Sequence, residues 1–160
     1  MPRLGNPIVY DLLEVAETLA HQSGRMNLRK ASMRRAVSTA YYAVFHGFCF
    51  VCASVIVGWS RTGELEPIYR MLDHGQARKR LTSAEAAEIG PVVARIGATF
   101  AFLQERRHLA DYSPPALLVN KNETLAIVAR AGEAVEALES LGDDQRRKLA
   151  ILLITKARLS

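Results

Sequence analysis

Residues 34–46 read Arg34-Arg35-Ala36-Val37-Ser38-Thr39-Ala40-Tyr41-Tyr42-Ala43-Val44-Phe45-His46, and they open a run from Ala36 to Ser60 that carries no formal charge. A helix over that run would be roughly 35 Å long at about 1.5 Å per residue, enough to cross a bilayer. Against a membrane span stand Ser38, Thr39, Tyr41, Tyr42, His46 and Ser54, several of them in one helical stripe. A lone span normally hides such groups against other spans, and the chain has no second segment of comparable apolarity. The run therefore reads as the central helix of a bundle, apolar on nearly all sides because neighbours surround it. No membrane is expected as a partner.

This helix is expected from about Asn27 to Gly58. Its apolar stripe is Val37, Tyr41, Val44, Phe48, Val51 and Val55, and beside it Arg35, Ser38 or Thr39, Tyr42 and His46 form a polar one. Upstream, Asn6-Pro7 is a helix start, and Ile8, Leu12, Val15 and Leu19 mark an apolar face before His21-Gln22-Ser23-Gly24 ends the segment. Downstream, Trp59 to Glu66 is a connector and Pro67 opens a shorter helix. Arg70, His74 and Arg78 lie four apart there and form a basic stripe ahead of Lys79 and Arg80.

Thr82-Ser83-Ala84-Glu85 fits a capping box. Gly90-Pro91 starts a long helix to about His108, with Val92, Ile96, Thr99, Phe100 and Leu103 as its apolar set. After Pro114-Pro115, Asn120 and Glu123 offer another capping box for a helix bearing Leu125, Val128, Val135 and Leu138. A last helix over about 143–158 carries Leu149, Leu152, Leu153 and Lys156 on one face. No alternating run with hairpin turns and no internal repeat is present. The expectation is an all-α, up-and-down bundle of about five to six helices: one domain over residues 1–160, with its core at about 8–140.

Composition bounds the function. The chain has 160 residues, 49% of them hydrophobic and 23% charged, with net charge +5. One core is the default at this size, and the basic balance makes a polyanion a reasonable partner. Cys49 and Cys52 lie inside the apolar run without a second pair to complete a zinc site, so both read as buried small hydrophobes. There is no phosphate-binding glycine loop, no His-Glu-x-x-His and no serine-hydrolase elbow, so no metal or cofactor is expected. Met1 to Tyr10 lacks an apolar signal core, and a cytoplasmic location is the expectation.

The chemistry-bearing stretch is Arg106-Arg107-His108-Leu109-Ala110-Asp111-Tyr112. An imidazole with a reference pKa of about 6.5 suits general acid–base work, and an adjacent guanidinium suits a phosphate. Arg107 and His108 are thus the candidate catalytic pair of a metal-independent ribonuclease. The alternative is structural: cations suit a helix C-terminus, and Asp111 can simply pair with Arg107. Buried polar groups of the central helix need partners, and Tyr42 or His46 is expected to hydrogen-bond with Asp111, Tyr112 or Arg107.

Two motifs resemble the HEPN superfamily, small helical domains of prokaryotic toxin–antitoxin and nucleic-acid defence systems. Arg34 to His46 is similar to the family's second-helix pattern of small residues, Ala-Tyr-Tyr and a closing Phe-His. Arg107-His108-Leu109-Ala110-Asp111-Tyr112 resembles the Arg-x-x-Ala-Asp-Tyr ending after its long helix. The likeness covers about residues 8 to 140. It implies an up-and-down bundle, commonly a homodimer, often encoded beside a nucleotidyltransferase-type partner protein. Ribonuclease members carry an arginine and a histidine four to six residues apart, whereas His108 directly follows Arg107 here. The resemblance therefore implies, first, a non-catalytic module binding RNA, a nucleotide or a partner protein.

Overall fold

The computed structural model describes residues 7–58, 65–114 and 120–155. Among them the chain is all-α, with eight helices: α1 (Pro7–Ala20), α2 (Met26–Ile56), α3 (Leu65–Met71), α4 (His74–Leu81), α5 (Ala84–Ile89), α6 (Pro91–Tyr112), α7 (Lys121–Ser140) and α8 (Asp143–Ile154). The expected five to six helices become eight because the stretch 65–89 divides twice. Asp73 has extended backbone and its carboxylate accepts from Gln76 N at 2.9 Å, which starts α4 afresh. Ser83 likewise accepts from Ala86 N and starts α5. The cap is thus Ser83, while Thr82 closes α4. Asn6 and Trp59, expected at a helix start and in a connector, lie outside the described residues, as does Lys156.

Helix α2 is the axis of the fold and touches α1, α3, α6, α7 and α8. Its buried side runs from Ser32 to Ala53 and includes Val37, Tyr41, Val44, Phe48 and Val51, while Val55 at its end is 37% exposed. By length and composition α2 could cross a membrane, yet 67% of its most apolar window is buried inside the protein. Apolar residues from all eight helices join one cluster around it. Cys49 and Cys52 sit in that cluster, and burial pushes both thiols up to about 12.

The buried face of α1 is rotated from the expected one. Val9, Ala16 and Ala20 are buried, whereas Ile8 and Val15 are 42% and 48% exposed. Alanine on the packed side of α1 and at Ala36, Ala40 and Ala43 of α2 allows close approach, so the larger side chains are left outside. Helix α6 reaches Tyr112, four residues beyond the expected end at His108. The stretch Arg106 to Tyr112 is therefore helical throughout, not a turn that follows a helix. Asn120 caps α7 by accepting from Glu123 N at 2.7 Å.

Candidate functional site

The last two turns of α6 lie against the first half of α2, and one carboxylate joins them. Asp111 accepts from Arg107 Nε at 3.2 Å, one turn earlier on its own helix, and from the Ser38 hydroxyl of α2 at 3.3 Å. Arg35 of α2 approaches its other oxygen at 3.8 Å. Ser38 is 1% exposed, and the Asp111 and Arg107 side chains are 16% and 19% exposed, whereas Arg35 is 67% exposed. The Arg107–Asp111 bridge is thus shielded, and the Arg35 contact lies in water-screened surroundings.

Arg107 is held on a second side as well. Its guanidinium carbon lies 5.4 Å from the Tyr41 ring centroid and 5.5 Å from that of Tyr42, within cation–π range. Arg34, whose role the sequence did not disclose, donates to the Ala110 carbonyl at 2.7 Å and to the Ser113 carbonyl. These are among the last carbonyls of α6, which have no intrahelical partners, so a cation from α2 closes that helix end.

A second polar group joins this cluster through α4. Tyr41 is fully buried, and its hydroxyl lies 2.6 Å from His74 Nδ1. Burial holds the phenol protonated by raising its pKa, and it keeps the imidazole neutral by lowering its own, with the Arg107 charge acting in the same direction on His74. The two neutral groups share one hydrogen bond whose direction follows the imidazole tautomer. Phe45 stacks on the His74 ring at 3.8 Å, and Gln104 donates to the His74 carbonyl at 3.0 Å.

This placement corrects the expected basic stripe. Arg70 is on α3, exposed and paired with Glu66 at 2.6 Å; His74 faces inward at the start of α4; Arg78 is exposed at that helix's far end. The helical break at Leu72-Asp73 puts the three off one face. Its signal was legible: Asp73 precedes His74-Gly75-Gln76, and aspartate at that offset from a backbone N–H is a preferred cap.

His46 does not enter the cluster. Its Nδ1 has no hydrogen-bond partner among the described residues, its ring lies 5.9 Å from that of Tyr69, and burial lowers its pKa. Tyr42 meets Arg107 through its ring face. Tyr112 is 68% exposed and packs on His108 at 4.9 Å between ring centroids. Consecutive helical positions diverge by about 100°, so Arg107 turns into the Asp111 cluster while His108 and Tyr112 face solvent. Nearby, Arg106 lies 5.2 Å from the Phe102 ring and Arg130 of α7 lies 3.8 Å from it. Sequence reading missed Phe102 and Arg130, because their contact spans two helices.

No family model, curated protein or solved structure matches this chain. Among the described residues no group of three or more His, Cys, Asp or Glu side chains is placed to hold a metal ion.

The neutral His74 has a consequence in pH. Its folded pKa, like that of His46, lies below the ordinary 6.5, so the unfolded chain binds the extra protons first as pH falls. Stability contributed by the neutral rings is present above about pH 6.5 and is lost as pH drops toward their folded values. The urea midpoint should fall between about pH 7 and pH 5. His74→Asn should flatten that dependence, and a midpoint equally pH-dependent in the variant would refute the assignment.

Proposed function

We propose that this protein is a HEPN-like, up-and-down helical bundle that binds single-stranded RNA without cleaving it. Its setting is cytoplasmic and toxin–antitoxin-like or defensive, as a homodimer that acts beside a nucleotidyltransferase-type partner. The observation that carries the non-cleaving part is the state of Arg107. Its guanidinium is engaged by Asp111 and flanked by two tyrosine rings, while His108 faces another side of α6. A guanidinium so held is poorly placed to share a phosphate with that imidazole.

What favours RNA is the exposed side of α6. Arg106 and Arg130 lie over the half-buried Phe102 ring, and His108 packs on the exposed Tyr112, so cations lie near one aromatic ring that a base can stack on. Among the described residues neither Arg106 nor Arg130 is tied up in an ion pair with a carboxylate. The net charge of +5 adds long-range attraction.

A gel-shift assay with mixed single-stranded RNA in EDTA tests this reading. Shifted and intact RNA is expected, with affinity that falls as salt rises. Tyr112→Ala should weaken binding about tenfold, in keeping with the worth of one base–aromatic stack, and Arg106→Glu with Arg130→Glu should weaken it further. Cleavage abolished by His108→Ala would instead establish the ribonuclease alternative that uses Arg107 and His108. No shift at low salt would sink both.

A further inference from the structure

A cleft of about 590 Å³ lies where α1 ends, α2 begins and α7 begins. Three cations line it: Arg29 and Lys30 from the first turns of α2 and Lys121 from the start of α7. Among the described residues no carboxylate lines it; Glu14 and Glu17 line the adjoining grooves along α1, which meet it at His21. Among the described residues none of the three cations has an ion-pair partner. Like charges drawn together without an intervening acid repel one another, and an anion between them removes that repulsion.

The remaining wall mixes polar groups from His21, Gln22 and Ser23 with two methionines. Met26 and Met33 line the same cleft, and Met26 is 61% exposed although it opens the central helix. Thioethers are polarisable and adapt to a flat or irregular apolar group. The volume lies within the usual range for small-molecule sites and well above what a bare phosphate would fill. Asn120, whose side-chain oxygen caps α7, also lines it. Helix α2 has no side-chain cap and no acidic residue in its first turn, so its positive end adds to the field.

We infer that this cleft binds a small organic phosphate monoester. Its phosphate sits among Arg29, Lys30 and Lys121, and its apolar or aromatic group rests on Met26 and Met33. The site is separate from the RNA-binding surface of α6 and does not depend on it.

Calorimetric titration of the full chain with phenyl phosphate, AMP and inorganic phosphate tests the assignment. Phenyl phosphate and AMP should each bind at least about tenfold more tightly than inorganic phosphate, and the stronger of the two distinguishes a simple aryl group from a nucleoside. Removing Lys30 and Lys121 together as K30A/K121A should weaken binding by more than about tenfold. R106A/R130A should leave it unchanged. In the unaltered chain, backbone amide resonances of residues 26–33 and 121 should shift on adding phenyl phosphate. Absence of heat with either ester, equal binding of inorganic phosphate, insensitivity to K30A/K121A, or unmoved amides in that segment would each overturn the site.

Discussion

Gly97→Ala should lower the stability of this protein by about 3 kcal/mol or more, even though alanine is the better helix former by roughly 1 kcal/mol. A Cβ at Gly97 would press into the Leu81 carbonyl oxygen and lie 2.8 Å from its carbonyl carbon. The obstacle is backbone at the end of α4, so no rotamer change can relieve it. Relief requires α4 to move away from α6, and α4 holds Ala77 and Leu81 in the core and His74 against Tyr41. Gly132 of α7 is the control, because a Cβ there meets nothing within 4 Å. Gly132→Ala should raise stability by about 0.5–1 kcal/mol through propensity alone. Urea denaturation reads both, and a Gly97→Ala protein as stable as its parent would refute the close packing of α4 on α6.

Asp111→Ala should cost about 2–3 kcal/mol, since it strands a shielded arginine and a buried hydroxyl. Arg107 would lose its counter-charge while remaining packed on Tyr41 and Tyr42, and Ser38 would lose its acceptor. Loss of the Arg35 contact adds well under 1 kcal/mol, because that side chain is largely in water. Asp111→Asn keeps an acceptor oxygen and should cost about half as much. A double-mutant cycle locates the energy: Arg107→Ala with Asp111→Ala should couple by about 1–3 kcal/mol. Strict additivity would show that the bridge contributes nothing beyond its geometry.

Much of the fold was legible. The uncharged run after Arg35 announced the central helix to within two residues at each end, expected over 27–58 and found over Met26–Ile56. The Asn120 cap and the Pro91 start were equally readable, because a cap is a contact between residues three apart and a proline fixes its own backbone angle. The number of helices was not, since a break at Asp73 competes with helical periodicity on either side of it. Nor was the orientation of α1: Ile8, Leu12, Val15 and Leu19 are spaced as a core face, but alanines won the interface because they let two helices approach.

The candidate site divides in the same manner. Residue types in Arg106 to Tyr112 pointed to a cluster, and an arginine four residues before an aspartate on one helix is a local pairing that spacing predicts. Tyr41, placed by its spacing in the apolar stripe, also holds His74; Arg34 closes α6 from another helix. Those contacts join residues 33 and 76 positions apart, and nothing local encodes them.

The sequence by itself determined the helical class, the identity of the central helix and most helix ends, because these follow from periodicity and from short-range hydrogen bonding. Only the tertiary structure decided that Arg107 is engaged inward while His108 and Tyr112 face solvent. It also decided that Gly97 is a contact point and that Arg29, Lys30 and Lys121 share one cleft. The physical reason is that a helix sets where its side chains point relative to one another, whereas the burial of a given face depends on neighbours distant in the chain.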